Sequence, residues 1–247
     1  MSSPPTVTRG DPDPLGARAR LDGWVRALGA DFLIPPPRPT RASPIPAAPS
    51  QQSAGALLAE LQAEVAQCQA CPLHAERRQT VFADGPPSAR VFFVGEGPGA
   101  DEDRTGVPFV GKAGQLLTRM IEGAMGMARG EVYIANVVKC RPPGNRNPSP
   151  EEQERCGAFL QRQIELVDPE ILVCLGAVAA RHLLQTDLGA GRLRGQVHDY
   201  AGKPLVVTWH PAYLLRNPAA KREAWEDIKL VLRTLGLAED PPPSQES

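Results

Sequence analysis

The chain has 247 residues, of which 27 are lysine or arginine and 28 are acidic, so that its net charge at neutral pH is −1. This balance excludes a histone-like or generally basic nucleic-acid binder, and any surface for nucleic acid must be local. Because no apolar run approaches the roughly 18 residues of a membrane span and no secretion signal begins the sequence, we expect a cytoplasmic protein without membrane contacts.

The first 50 residues hold 11 of the 27 prolines, interspersed with alanine, serine and arginine. A segment of this composition cannot bury enough apolar surface to become ordered. We therefore predict a largely disordered tail over residues 1–53, with one short helix at 21–34 where apolar residues follow helical spacing. A second disordered tail is predicted at 237–247, which leaves one domain over residues 54–236.

Short apolar runs and longer amphipathic segments alternate through this domain, beginning with a helix from Ala54 that leads into Cys68. Strands that alternate with crossover helices form a mostly parallel sheet with helices on both faces. The pattern therefore predicts an α/β domain. Strands are expected at 91–94, 132–137, 171–175 and 205–208, and further helices at 114–127, 149–167, 177–184 and 218–235.

Polar side chains follow these strands at the edge where open parallel sheets bind their ligands. Glu96 lies in a glycine-rich loop after the first strand, Asn136 ends the second, and His210 follows the fourth. Taken singly, each residue could serve only a turn or a cap, and the glycine-rich loop matches neither a dinucleotide fingerprint nor a Walker A sequence. Their coincidence at one edge predicts a catalytic site.

Phe109 lies in a loop that Pro108 and two glycines, Gly106 and Gly111, hold out of regular structure. A ring presented by such a loop can stack on a flat ligand. The alternative is a loop phenylalanine that packs into the hydrophobic core, and the position alone favours this alternative.

The five cysteines indicate a metal centre rather than disulfides, because their number is odd and the expected compartment is reducing. Cys68 and Cys71 form a C-x2-C pair, Cys140 follows the second strand, and Cys156 lies early in the next helix. Four thiolates suit either zinc or an iron–sulfur cluster, and the spacing does not distinguish the two. Cys174 lies inside a strand and is expected to be an inert buried thiol.

A basic loop follows the second strand. It runs from Lys139 to Pro150 and carries Lys139, Arg141 and Arg146, with no acidic residue before Glu151. Because this loop adjoins both the thiol site and the polar edge of the sheet, we predict that it forms a phosphate-binding surface. The alternative is a solvated basic loop without a ligand.

Together these motifs resemble those of the family 4 uracil-DNA glycosylases. The resemblance covers about residues 57–236 and rests on the loops 95–99, 106–114 and 210–218, on Asn136 and on the four spaced cysteines. It implies a three-layer α/β/α domain with a central four-stranded parallel sheet and a [4Fe–4S] cluster on those cysteines. It also implies a DNA repair enzyme that flips uracil out of DNA and hydrolyses its N-glycosidic bond, leaving an abasic site. We expect a monomer that acts on single- or double-stranded DNA.

The resemblance assigns roles to the polar residues and to the loop aromatic. It implies that Phe109 stacks on the flipped base and that Asn136 reads the polar edge of uracil. His210 is expected to donate a hydrogen bond to O2, where negative charge develops as uracil leaves. Glu96 matches the residue at the water site, where a carboxylate can orient the nucleophile.

Five further residues are secondary candidates. Glu102 is a second catalytic candidate, and Gly97 is expected to contact uracil. When a base leaves the stack, an apolar side chain fills the gap, and either Leu214 or Leu215 suits this role. Arg216 follows these leucines and is expected to bind phosphate.

Three other functions are compatible with parts of the sequence. A non-catalytic iron–sulfur module that binds nucleic acid would explain the cysteines but not the three polar residues at strand ends. A zinc hydrolase needs an open ligand position, which four cysteines do not leave. A DNA-trapping relative from the same superfamily carries a reactive histidine in a basic insertion, whereas residues 139–156 contain no histidine.

Overall fold

The structure, a computed structural model, describes residues 51–237. The predicted helix at 21–34 and almost all of the two predicted tails lie outside this range. The strands are β1 (Val91–Gly95), β2 (Tyr133–Asn136), β3 (Ile171–Leu175), β4 (Val197–Tyr200) and β5 (Lys203–Thr208). The helices are α1 (Gln51–Gln67), α2 (Ala100–Thr105), α3 (Lys112–Met120), α4 (Pro150–Val167), α5 (Ala177–Leu184), α6 (Ala190–Leu193), α7 (Pro211–Arg216) and α8 (Lys221–Thr234).

The five strands form one sheet in the order β2-β1-β3-β5-β4. The first four in this order are parallel, which confirms the predicted four-stranded parallel sheet. The fifth, β4, pairs antiparallel with β5 at the edge, and the pattern does not predict it because Val-His-Asp-Tyr contains no apolar run. The two residues between these strands, Ala201 and Gly202, have φ angles of 51° and 82°. Two positive φ angles are what a two-residue type I′ hairpin requires.

Helices cover both faces of the sheet. Phe92 and Val94 pack with α1, α4 and α5 on one face, whereas Val91 and Phe93 pack with α3 and α8 on the other. All four of these β1 side chains are fully buried, as expected for a central parallel strand that is covered on both sides. The predicted three-layer α/β/α architecture is confirmed.

The helix boundaries differ from the predictions in detail. The capping box that begins α4 is present, because Ser149 Oγ accepts the Glu152 N–H at 3.2 Å and the Glu152 carboxylate accepts the Ser149 N–H at 2.7 Å. Helix α1 begins at Gln51, so residues 51–53 belong to the helix and not to the predicted tail. The predicted helix at 114–127 is α3 followed by a π-helical turn over Ile121–Met125. Within residues 51–237, no helix has the length and apolar character needed to cross a membrane.

Candidate active site

Three parallel strands bring the predicted polar residues to one cleft at the carboxyl edge of the sheet. Glu96 follows β1, Asn136 ends β2, and His210 follows β5. The cleft measures about 420 Å³, within the usual size of a small-molecule site. These three residues line it together with Gly97, Phe109 and Arg216. The side chains that the motifs single out therefore do meet at one edge of the sheet.

Phe109 both packs into the core and lines the cleft. Its side chain is only 6% exposed, and its ring centroid lies 5.8 Å from that of His210 at an interplanar angle of 36°. Its φ angle of 54° falls in the left-handed region, which costs a non-glycine residue on the order of 1–3 kcal/mol. Such strain persists only where the surroundings hold the backbone in place.

Two glycines of the motifs allow this close packing. A Cβ atom at Gly95 would lie 2.3 Å from Asn136 Oδ1 and 2.6 Å from Phe109 Cζ. A Cβ atom at Gly114 would lie 1.8 Å from the carbonyl oxygen of Phe109. Both positions lack room for any side chain, so the last residue of β1 and the start of α3 must be glycine for the ring and the amide to reach the cleft.

Asn136 presents a hydrogen-bond acceptor with no partner. The residue is 1% exposed, and within the described residues its buried Oδ1 accepts no hydrogen bond. An unsatisfied buried polar atom costs roughly 1–3 kcal/mol, so a ligand N–H placed here is favoured. Its main-chain carbonyl accepts a hydrogen bond from Lys139 Nζ at 2.7 Å, which holds the end of β2.

His210 is a neutral imidazole with one defined donor. Its Nδ1 accepts the N–H of Ala212 at 3.1 Å, so the proton of the neutral ring is on Nε2. Burial lowers the pKa of His210 to about 4, and the nearby positive charge of Arg216 acts in the same direction. At neutral pH the ring can therefore donate one hydrogen bond without carrying a charge.

The two glutamates of the cleft have different environments. Glu96 is half-buried, and burial raises its pKa. The carboxylate of Glu102 accepts three backbone N–H groups, from Gly99 at 3.1 Å and from Val110 and Gly111 at 2.9 Å each. A carboxylate that acts on water must have an oxygen directed at it. Glu96 thus remains the candidate for this task, whereas the Glu102 carboxylate is occupied by backbone N–H groups, and we expect it to position the loop.

Four of the five cysteines line one small cavity beside α1 and α4. Arg77 Nη1 donates to Cys140 Sγ at 3.3 Å, and the backbone N–H of Lys139 donates to Cys156 Sγ at 3.3 Å. Within residues 51–237, no three possible donors are close enough to share a single metal ion. Cys174 is fully buried in β3, as predicted. The cysteines at the cavity are Cys68, Cys71, Cys140 and Cys156.

Comparison with known proteins identifies the family. A sequence model described as the uracil DNA glycosylase superfamily matches residues 82–229. The type-4 uracil-DNA glycosylase of Thermotoga maritima is 48% identical over 169 residues, which cover 67% of this chain and 88% of that protein. The chain belongs to the type-4 uracil-DNA glycosylase family. The type-4 uracil-DNA glycosylase of Archaeoglobus fulgidus is 43% identical over 176 residues, which cover 68% of this chain and 88% of that protein.

Membership of the type-4 uracil-DNA glycosylases confirms the resemblance, but one predicted DNA contact is wrong. Lys139 is 1% exposed, and its Nζ donates to the Asn136 carbonyl and to Gln163 Oε1, the latter at 2.5 Å. Burial lowers the pKa of Lys139 to about 8. A side chain enclosed in this way cannot reach a phosphate on the surface. Lys139 instead stabilises the end of β2, which carries Asn136.

The orientation of α7 distinguishes the two leucines predicted to act as a wedge, the side chain that fills the gap left by the flipped base. Leu214 is 1% exposed and packs in a small cluster with Leu116 and Ala224. Leu214 is therefore wrong as a wedge, because its side chain is already buried in the fold. Leu215 is 42% exposed and therefore stays the candidate for this role.

Arg141, Arg146 and Arg216 differ in the contacts that their side chains already make within the protein. Arg146 lines the cleft, yet its two Nη atoms bind the carboxylate of Glu152 at 2.8 and 2.7 Å. Arg141 Nε donates to Asn145 Oδ1 at 2.7 Å. Arg216 is exposed at the cleft. We therefore expect Arg216 to be more available to a phosphate than Arg146, whose charge is balanced within the protein.

Two residues beside the cleft are not predicted by the sequence patterns. The ring of Tyr213 lines the cleft and stacks on Trp209, with centroids 4.7 Å apart. Its position three residues after His210, at the start of a helix, is a signal that could have found it. Arg129 contacts the main chain of the Phe109 loop. No local pattern marks Arg129, because it is 20 residues away in the chain.

Proposed function

We propose that this protein removes uracil from DNA by hydrolysing the bond between the base and its deoxyribose. Its membership of the type-4 uracil-DNA glycosylase family supports this activity. The observation that carries the proposal is the meeting of Asn136, Phe109 and His210 in one cleft. An unpaired amide oxygen, an aromatic ring and a neutral N–H donor match the N3–H, the flat ring and the O2 carbonyl of uracil.

The polar edge of uracil accounts for the role of Asn136. Uracil presents N3–H beside the O4 carbonyl, so Asn136 Oδ1 accepts the N3–H and the amide nitrogen donates to O4, while Phe109 stacks on the ring. Cytosine presents the opposite order of donors and acceptors at these two atoms, so the same amide orientation rejects it. Gly97 contributes main chain to the wall, where a Cβ atom would lie 2.8 Å from Val138 Cγ2.

Cleavage places negative charge on the leaving uracil and positive charge on the sugar. Nε2–H of His210 donates to O2, where the negative charge grows, and a donor of this kind stabilises the transition state more than the ground state. The carboxylate of Glu96 orients the attacking water and favours the cationic sugar. The two residues therefore act on opposite sides of the breaking bond.

The target base must leave the DNA stack to enter the cleft. Enzymes that act on bases extrude the nucleotide and fill the gap that it leaves. We propose Leu215 as the side chain that fills it, because it is exposed on the helix that follows His210. Arg216, Arg141 and the exposed part of Arg146 are the proposed phosphate contacts on single- or double-stranded DNA. A monomeric, cytoplasmic protein stays a prediction.

We propose that Cys68, Cys71, Cys140 and Cys156 bind a [4Fe–4S] cluster. The donor set fits this group, because four thiols from three segments line one cavity, and N–H groups of Ala70, Arg77 and Lys139 donate to three of their sulfurs. When bound, the cluster would cross-link these segments, and neither half of the hydrolysis requires an electron from it. The name of the type-4 family supports the assignment.

Replacing any of the four cavity cysteines by alanine is expected to abolish iron binding and lower the melting temperature, because the cross-link between α1, the loop after β2 and α4 is lost. Iron and sulfide content, together with a melting curve, measure the effect on protein purified without air. Cys174→Ala is the matched control and should keep both iron and sulfide. A colourless, zinc-loaded and fully active wild-type protein would refute the cluster.

Release of free uracil from a synthetic strand tests the proposed function directly. A non-catalytic nucleic-acid-binding module would bind the strand and release no base, and a DNA-trapping relative would stay covalently attached after release. A glycosylase with ordinary turnover should release uracil and dissociate, leaving an abasic site that alkali converts to a strand break.

A further inference from the structure

We propose that Arg129 is a positioning residue that holds the backbone of Phe109 so that its ring can stack on the flipped uracil. The inference rests on the proposed function of Phe109 in base binding. Arg129 lies outside the cleft motifs, in a short turn between the π-helical turn and β2. Its effect on the reaction would be exerted only through the aromatic ring.

Four hydrogen bonds and an ion pair hold the Arg129 guanidinium. Nη1 donates to the Phe109 carbonyl at 3.1 Å and to Thr118 Oγ1 at 3.0 Å. Nη2 donates to the Pro108 carbonyl at 2.7 Å and lies 3.0 Å from Asp84 Oδ2, which also accepts Nε at 3.1 Å. The side chain is only 19% exposed. A planar guanidinium with four hydrogen bonds and an ion pair is held in one orientation.

Hydrogen bonds hold the backbone on both sides of the strained residue, Phe109. Arg129 binds the two carbonyls at and before Phe109, whereas Glu102 binds the N–H groups of the two residues after it, Val110 and Gly111. A phenylalanine at φ 54° relaxes unless its surroundings hold the backbone. The cation on one side and the anion on the other supply this restraint.

The restraint is anchored to the sheet through Asp84. The backbone of Asp84 exchanges hydrogen bonds with Ile134 of β2, at 3.0 Å and 2.8 Å. Ile134 is two residues before Asn136, so the ring and the amide that contact uracil share one rigid support. A lysine cannot replace Arg129, because one ammonium group cannot bind two carbonyls, a hydroxyl and a carboxylate in a planar fork.

Arg129→Met and Arg129→Lys are expected to slow single-turnover uracil release by roughly 10- to 100-fold, the scale of a small misplacement of a group that contacts the substrate. Arg104→Met is the matched control, since Arg104 is an exposed arginine of the neighbouring helix α2, and it should retain the wild-type rate within about twofold. Melting curves establish that each variant is folded.

A double-mutant cycle separates this role from a general structural one. If Arg129 acts through the ring, Arg129→Met should have less than about a twofold effect in a Phe109→Ala background. Asp84→Asn, which keeps the shape of the anchor, should show a smaller loss that also disappears without the ring, and it decides the matter if the Arg129 variants do not fold. Equal losses with and without Phe109, or wild-type rates in the folded variants, would overturn the proposal. A wild-type protein that releases no uracil would instead refute the proposed function.

Discussion

His210→Ala is expected to slow single-turnover uracil excision by roughly 10²–10³-fold, which corresponds to the loss of about 2.7–4 kcal/mol of transition-state stabilisation from one preorganised donor. The reason is that Nε2–H is the donor aimed at the charge that develops on uracil O2, while Nδ1 is occupied by the Ala212 N–H. DNA affinity should change much less, because the donor acts mainly in the transition state. Uracil release under enzyme excess and a DNA titration at fixed salt measure the two effects.

A histidine with a merely structural role would behave differently. Its replacement would lower the melting temperature and leave the rate per folded molecule near that of the wild type. His198→Ala is a suitable control, since His198 lies in the edge strand β4 and its ring binds the Leu193 carbonyl. If folded His210→Ala protein keeps its rate, the role assigned to His210 is wrong.

The lowered pKa of His210, about 4, also makes the free energy of unfolding depend on pH. In the unfolded chain His210 takes up a proton near its ordinary pKa of about 6.5, whereas in the folded protein it does so only near pH 4. Between these values the unfolded state binds more protons, so His210 contributes to a loss of stability as the pH falls from 6.5 to 4. Above pH 6.5 this contribution is absent, and the ring is neutral throughout the range in which the enzyme is expected to act.

Glu96→Gln is expected to reduce the single-turnover rate by roughly 10²–10⁴-fold, the usual contribution of a positioned acid–base residue. A glutamine keeps the size of the side chain but cannot accept a proton from water or stabilise the cationic sugar. Uracil-DNA binding should survive, because Asn136 and Phe109 contact the base. Glu154→Gln, an exposed carboxylate of α4, is the matched control and should leave the rate unchanged.

The pH profile distinguishes Glu96 from any other carboxylate. Burial raises the pKa of Glu96, so the active carboxylate form is lost as the pH falls through a value above that of an ordinary glutamic acid. The acid limb of the wild-type rate should therefore begin at this raised pKa and be absent from the residual activity of Glu96→Gln. The same limb in both proteins would show that another group controls the reaction.

The cleft is predictable from the sequence because it depends on where strands end. Parallel strands present their carboxyl ends at one edge, so Glu96, Asn136 and His210 are all expected at that edge once the strands are recognised. The positions of the strand ends do not distinguish Leu214 from Leu215. Which of two adjacent leucines faces solvent depends on how α7 packs against α3 and α8, and no spacing within the loop encodes this.

The contacts that support the cleft are harder to predict, because they join residues that are distant in the chain. Lys139 belongs to a basic run, yet its Nζ is buried against Gln163, 24 residues later. Arg129 and Glu102 hold the strained Phe109 loop through main-chain carbonyls and N–H groups, and main-chain partners leave no trace in the sequence. The edge strand β4 is not predicted for a simpler reason. It is a four-residue hairpin arm with polar side chains and lacks the apolar run of a buried strand.

The most direct test of the account is the release of free base from three synthetic strands that are identical except for a central uracil, thymine or cytosine. With iron-loaded protein in excess over DNA, we expect release of uracil in a single exponential phase, no release of thymine or cytosine, and recovery of unmodified protein. If folded, iron-loaded protein binds the uracil strand but releases no uracil, the protein is not a uracil-DNA glycosylase and the roles assigned to Glu96, Asn136 and His210 are wrong.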